Sequence, residues 1–266
     1  MVFPADDAFA RDVATAAGER LLKIREQGAS HLHAGAGGAG GSPPAGHTDE
    51  LRKAGDLGAQ DFLAAELTRM RPGDAVLSEE AADNPVRLAA ERVWIIDPLD
   101  GTREFGEPPR VDWAVHVALW ERGELTAGAV ALPAQGKTLS TAEPPPTPPA
   151  LAEGARIRLV VSRSRPPEFV TRLAEHINAE LVPLGSAGAK AAAVITGDVD
   201  AYVHAGGQYE WDNAAPVAVA RAAGLHASRI DGSKLAYNSE KPWMPDILIC
   251  PVSLADTLLS AISEVS

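Results

Sequence analysis

Apolar positions recur along the chain with two different periods, and the alternation between them outlines the elements. From Asp6 to Gln27, Phe9, Val13, Ala16, Ala17, Leu21 and Ile24 share one face of a helix, and Asp6 and Asp7 suit its positive end. Leu57 to Met70 predicts a second helix, followed by a short strand at Ala75 to Leu77 and another at Val93 to Asp97. Trp113 to Trp120 and Leu125 to Leu132 flank Glu121-Arg122-Gly123-Glu124, the pattern of a hairpin, which brings antiparallel pairing into the sheet. Further on come a strand at Ile157 to Val161, helices near Glu168 to Ile177 and Ala187 to Ile195, and a strand at Ala201 to Val203. A helix at Asn213 to Ala223, a strand at Ile247 to Ile249 and a helix from Leu254 complete the order. Such alternation predicts a layered α/β (α+β) architecture, and no internal repeat interrupts it.

Two stretches break the pattern. Ser30 to His47 contains HLHAGAGGAGGSPPAGH, whose glycine content predicts a mobile loop. Its Gly35, Gly37 and Gly40 satisfy GxGxxG, but no strand precedes and no helix pattern follows, so the match carries no nucleotide fold. His31, His33 and His47 lack the fixed geometry and fourth ligand of a zinc site. Glu143 to Ala150, EPPPTPPA, is the sharpest change in composition and is read as a boundary. It separates an N-terminal α+β domain, residues 1–143, from a C-terminal α/β domain, residues 150–266.

Composition narrows the function. At 266 residues and 45% hydrophobic, the chain can bury a substantial core. Acidic residues number 36 against 24 basic, a net charge of -12, and no basic stripe is present, which argues against a nucleic-acid polymer as partner. The N-terminus MVFPADDAFARDV lacks the charged and apolar regions of a signal peptide. The apolar run Ile247 to Val252 is too short to span a membrane, so a cytoplasmic location is expected. The single cysteine, Cys250, lies among apolar neighbours and is expected in the core.

The chemistry concentrates in Trp94 to Phe105, WIIDPLDGTREF. An apolar run ends in Asp97 and Asp100, Pro98 stiffens the turn between them, and Gly101-Thr102 opens a helix able to face an anion. Like charges this close repel unless a cation joins them. Glu79 and Asp212 also sit where apolar segments end, and oxygen ligands in this number suit Mg2+ or Mn2+. Taken singly, Asp212 reads equally as a helix cap, Glu79-Glu80 as a solvated turn, Asp56 as the N-cap before Leu57, and Thr102 as a cap of its own helix.

These motifs together resemble the inositol monophosphatase superfamily, lithium-sensitive, Mg2+-dependent phosphatases of sugars, inositols and nucleotides. WIIDPLDGTREF resembles its signature, LSEE at Leu77 to Glu80 its glutamate motif, and EWDNAAPVAVARAAG at Glu210 to Gly224 its second aspartate motif. KAGDLGAQ, Lys53 to Gln60, is similar to its early aspartate segment, although Lys53 stands where many relatives have a small hydroxyl residue. The resemblance implies the αβαβα sandwich of the sugar phosphatases and two or three Mg2+ ions, with Mn2+ as substitute. It implies Glu79, Asp97, the Leu99 carbonyl, Asp100 and Asp212 as metal ligands, and Asp56, Glu79 and Thr102 as catalytic residues. The reaction implied is in-line attack of metal-activated water on a small phosphorylated substrate.

Arg103-Glu104-Phe105 resembles the branch acting on 3'-phosphoadenosine 5'-phosphate in sulfate assimilation, as do SAGAK at Ser186 to Lys190 and VSRSR at Val161 to Arg165. Substrate contacts are thereby expected at Gly101, Thr102, Arg103, Arg163, Ser186, Lys190 and Asp212, with Arg165 a further candidate. Ser186 replaces the glycine that usually opens the phosphate loop. Tyr202 and Tyr237 read as core rather than as purine-stacking residues. An inositol-1-phosphate or fructose-1,6-bisphosphate phosphatase is the alternative on the same scaffold, and a noncatalytic phosphometabolite-binding protein the alternative from another class. The relatives' habits imply a homodimer.

Overall fold

Successive side chains of each central strand feed two different cores, and this division sets the layers. The computed structural model describes residues 4–35, 45–164 and 166–266. Helices α1 (Asp6–Gly35) and α2 (Ala45–Met70) precede a first sheet of β1 (Ala75–Ser78), β2 (Arg92–Asp100), β3 (Ala114–Glu121), β4 (Glu124–Leu132) and β5 (Lys137–Ser140). These strands are adjacent in that order, β1 parallel to β2 and the rest antiparallel. A single turn, α3 (Thr102–Phe105), follows β2. The second half contributes β6 (Arg158–Ser162), α4 (Glu168–His176), β7 (Glu180–Leu184), α5 (Ala187–Ile195), β8 (Ala201–Tyr209), α6 (Glu210–Ala222), β9 (Leu225–Ser228), β10 (Trp243–Pro251) and α7 (Val252–Val265). Its sheet has the order β7-β6-β8-β10-β9.

In β2, Trp94 and Ile96 pack against α1 and α2, while Val93 and Ile95 enter the middle core with α5 and α6. In β10, Ile247 and Ile249 face that same middle core, while Leu248 and Cys250 pack with α4 and α7. The period of two thus builds a five-layer αβαβα sandwich, as the resemblance implied. Covering on both faces explains why β2 reads as a nearly unbroken apolar run. Where α6 crosses β4 the sheet needs a glycine, because a Cβ on Gly128 would lie 2.6 Å from that of Ala218. The proline-rich stretch 143–150 connects the two sheets, and residues from both sides of it meet in the middle core.

The helices outrun their sequence patterns. The helix expected to end at Gln27 continues to Gly35, and the one expected from Leu57 starts at Ala45, so the glycine-rich loop is shorter than read at both ends. Extending a formed helix needs only one residue ordered per hydrogen bond, which lets it run into weak sequence. The remaining stretch, 36–44, where mobility was expected, lies outside the described residues, as do the side chains of His31, His33 and His47. β5, β7 and β9 were not foreseen; each has only four or five residues.

Trp94 is fully buried, meets the Phe9 ring edge-on at 5.3 Å and donates its indole N–H to Asp74 at 2.8 Å. Trp94→Ala should therefore lower the unfolding free energy by about 3–5 kcal/mol, read from urea denaturation.

Candidate active site

A strand normally sends residues three apart to opposite faces, so Asp97 and Asp100 should diverge. They do not, because β2 carries a bulge. Asp97 pairs with His116 and Asp100 with Ala114, which sets three steps on β2 against two on β3. The extra residue restores the parity, and both carboxylates reach one side. Pro98 fits there because it has no N–H to offer the ladder. Asp97 also accepts the Leu99 N–H at 3.0 Å, which holds the bulge closed.

Other elements bring their carboxylates to this point. β1 runs parallel to β2, and the Glu79 N–H donates to the Ile96 carbonyl at 3.4 Å, placing Glu79 beside Asp97. Asp212 sits in the first turn of α6 and accepts the Tyr209 N–H at 2.6 Å. It is the N3 residue of a capping box, not the N-cap itself, which is Tyr209. One oxygen each from Asp97, Asp100 and Asp212 lies within 4.8 Å of the others.

Asp100 is the most heavily bonded of the set. It accepts the N–H groups of Ala187 at 3.1 Å and Gly188 at 2.6 Å, together with the Ser186 hydroxyl. These occupy three of its roughly four acceptor positions and tie β2 to the start of α5. Buried His116 stands 3.4 Å from the same carboxylate and, through Nδ1, bonds the Trp211 carbonyl at 3.0 Å. Gly188 must lack a side chain, since its Cβ would stand 2.0 Å from His116. Ser186 adopts φ of +46°, a region that glycine enters freely and other residues rarely. Gly101 has φ of +84°, and a Cβ there would press on Ser186 at 2.9 Å.

Burial and mutual repulsion set the electrostatics of these carboxylates. Asp97 is completely buried and one of its oxygens has no hydrogen-bond partner. Burial, then the charges of Glu79, Asp100 and Asp212, holds its carboxyl well above the usual range. Glu79 keeps one side toward solvent, but desolvation of its carboxyl and the nearby Asp212 charge push it up to about 7. Asp212 is likewise pushed up to about 7, by burial first and Asp100 second. Unpaired buried charge of this kind is relieved either by protonation or by a cation. The donors are all oxygen, spaced closely and rigidly held, so they fit a hard divalent ion.

Asp56 and Thr102 meet as expected. The cap alternatives fall for both: Asp56 lies inside α2, and the residue capping α3 is Gly101. The Thr102 hydroxyl lies 3.1 Å from Asp56 Oδ1 and 3.0 Å from the Leu99 carbonyl oxygen, with one hydrogen to share between them. Burial and the charge of Glu80 raise the Asp56 carboxyl to about 6, against the pull of the Thr102 bond.

The expected substrate contacts divide. Gly101, Thr102 and Ser186 border the carboxylates. Lys190 is buried and donates to the carbonyls of Ser186 at 2.6 Å and Gly185 at 3.3 Å, and burial lowers its pKa. Arg163 is committed to Glu104 at 2.9 Å and Glu107 at 2.6 Å, while Arg103 pairs with Glu107 at 3.4 Å and is mostly exposed. Arg165 lies outside the described residues. Tyr202 and Tyr237 are core, as read, their hydroxyls bonded to Gln208 and Asn213. Sequence reasoning missed His116 and Gly188, whose importance arises only from contacts across the fold.

With the site in view, the chain can be set beside known proteins. The model of the inositol monophosphatase family matches residues 6–265. The chain belongs to that family. Within it, the chain is 49% identical to the 3'-phosphoadenosine 5'-phosphate phosphatase of Mycobacterium leprae (strain TN), over 98% of this chain and 94% of that protein. It is 32% identical to the 3'(2'),5'-bisphosphate nucleotidase CysQ of Escherichia coli (strain K12), over 72% of this chain and 81% of the other. Among solved structures of the inositol monophosphatase family, CysQ from Bacteroides thetaiotaomicron superposes with a TM-score of 0.74 at 26% identity, covering 92% of this chain and 97% of that one. The staphylococcal IMPase-II shares the fold with a TM-score of 0.75 at 19% identity, over 97% and 96% of the two chains. No helix among the described residues is long and apolar enough to cross a membrane.

The raised carboxyls fix a sign for stability. Asp212 binds its proton in the folded, cation-free protein up to about pH 7, but loses it near 3.8 when exposed. Its contribution therefore becomes more unfavourable as pH rises between those values. In chelator, Asp212→Asn should melt above the wild type, with the gap widening from pH 5 to pH 7 and then levelling. A gap that shrinks over this range in calorimetric melts would contradict the assignment.

Proposed function

We propose that this chain is a divalent-cation-dependent phosphatase that hydrolyses 3'-phosphoadenosine 5'-phosphate to AMP and phosphate. The observation that carries the reading is the meeting of Asp97, Asp100 and Asp212 around an unpartnered buried oxygen, beside the Thr102–Asp56 pair. The ligands we assign are Glu79, Asp97, the Leu99 carbonyl, Asp100 and Asp212, and the donor chemistry favours Mg2+ over softer ions. Bound there, such ions would neutralise phosphate charge and acidify a water molecule.

The chain's own groups then have defined work. Donation of the Thr102 hydrogen to Asp56 leaves the hydroxyl oxygen free to accept a hydrogen bond from the attacking water and so orient it. With a pKa of about 6, Asp56 is largely ionised at neutral pH and able to take up the proton. The N–H groups of Gly101 and Thr102, where the chain turns into α3, are the donors we assign to the phosphate oxygens. Ser186, positioned against Asp100, and Lys190, by holding the carbonyls of Gly185 and Ser186, shape the wall the substrate meets.

The choice of a bisphosphorylated nucleotide rests on the name and near full-length likeness of the mycobacterial relative, together with Arg103-Glu104-Phe105. Glu104 and Phe105 are both buried. Glu104 fixes Arg163, and Phe105 meets Trp113 edge-on at 5.1 Å, so the motif sets the wall between α3 and the Gly185 turn. Arg103, exposed at that wall, is the residue we assign to the remote phosphate. In this reading the protein acts in the cytoplasm, in sulfate assimilation, as a homodimer.

Phosphate release should be compared for 3'-phosphoadenosine 5'-phosphate, inositol 1-phosphate and fructose 1,6-bisphosphate with Mg2+ present. We expect the highest kcat/KM for the first. Asp97→Asn and Asp100→Asn should each reduce turnover by at least about 10²–10³-fold, and Thr102→Val by about 10²–10⁴-fold. Near-normal turnover in both aspartate variants would sink the proposal, and a preference for inositol 1-phosphate would reassign the substrate.

A further inference from the structure

Tyr209 and Trp243 are the aromatic members of the exposed large hydrophobics among the described residues, at 45% and 50% of their surface. They are direct partners across β8 and β10. Tyr209 stacks on Trp211 at 4.6 Å and 8°, and Trp243 meets Tyr209 edge-on at 5.5 Å and 83°. The three rings form a small aromatic cluster with two members half-exposed to water, a surface on which a flat apolar group can stack.

The cluster is held rigidly. The indole of Trp243 lies on the backbone of Gly207, where φ is +89° and a Cβ would come within 1.8 Å of the ring. The segment leading to Trp243 is fixed from beneath by buried Glu210, whose carboxylate accepts the N–H groups of Asn238 at 2.7 Å and Ser239 at 2.9 Å. The Glu210 N–H in turn donates to the Pro242 carbonyl at 3.0 Å. Buried Arg87 donates to the Asn238 side chain at 2.8 Å and the Ser239 carbonyl at 2.9 Å. Rings fixed before binding lose little freedom when a flat partner arrives.

Its position selects the partner. The backbone of Tyr209 bonds Asp212 directly, so the aromatic surface begins at the edge of the carboxylate cluster. In a nucleoside 3'-phosphate a single ribose joins the base to the phosphate, so a phosphate at the carboxylates delivers its base within one sugar's span. We infer that the exposed rings of Tyr209 and Trp243 form the subsite for the substrate's nucleobase, an inference that rests on the phosphatase reading of the adjoining site. Stacking on these rings gives affinity for an aromatic base without discriminating strongly among bases, because each presents a π-face. A sugar or inositol phosphate has no group to place there.

The test is calorimetric binding of adenosine 5'-phosphate and ribose 5-phosphate, which differ only in the base, to the full chain with Mg2+. The wild type should bind adenosine 5'-phosphate about tenfold more tightly or better. Trp243→Ala should bring the two affinities together, and Trp243→Phe should keep most of the difference. Tyr209→Leu gives a second reading should the first variant not fold. Equal affinities in the wild type, or an undiminished ratio in both Trp243→Ala and Tyr209→Leu, would overturn the inference. Because binding is measured without turnover, a wild type that releases phosphate but binds the two ligands equally would refute this subsite alone. Absence of phosphate release from any of the three esters would refute the phosphatase reading instead.

Discussion

The site depends on one extra residue in one strand. Without the bulge between Asp97 and Asp100, the two carboxylates would face opposite layers, one toward α1 and α2 and the other toward the middle core. With it, they share a side and meet Asp212. The bulge persists because its neighbours each supply a reason for it. Proline removes a donor that the ladder would otherwise need, the Leu99 N–H has a carboxylate to bond, and Gly101 takes a backbone conformation closed to most residues.

The cluster works against the stability of the fold that holds it. Desolvated carboxylates repel one another, and the middle layer offers them no basic side chain among the described residues except Lys190, whose ammonium is turned to backbone carbonyls. His116 approaches Asp100, but burial disfavours its charged form. The surrounding cores make this arrangement tolerable. The strands carrying the site are covered on both faces, so local expansion to relieve repulsion would have to open packed layers on either side.

What could be read from the chain was whatever is local. Trp94 to Phe105 announced a strand, a turn and a helix start within twelve residues, and the helix–strand alternation gave the layered class. The ends of α1 and α2 were hidden because glycine and proline lower local propensity, while helix extension and packing decide where a helix stops. β5, β7 and β9 were hidden because four or five residues carry too little periodicity, and partner strands define them. In the site, the carboxylates stood out from the residues themselves, whereas the Asp56–Thr102 pair, 46 positions apart, came only from the family resemblance, because each residue read singly as a helix cap. The bonding of Asp100 to α5 was not legible, since it joins residues more than eighty positions apart. The pairing of Tyr209 with Trp243 was hidden for the same reason; only the register of β8 and β10 brings those rings together.

The bonds from Asp100 to the start of α5 have a mechanical meaning. They are the point where the first sheet grips a helix belonging to the second half of the sandwich, and the grip is made by a carboxylate of the site itself. A hydrogen bond tolerates only a few tenths of an ångström of displacement before it weakens. Any slippage of one sheet against the other is therefore felt at Asp100 before it disturbs the wider cores. The carboxylate cluster thus serves as a strain gauge for the alignment of the two halves, because one of its members is itself the link between them.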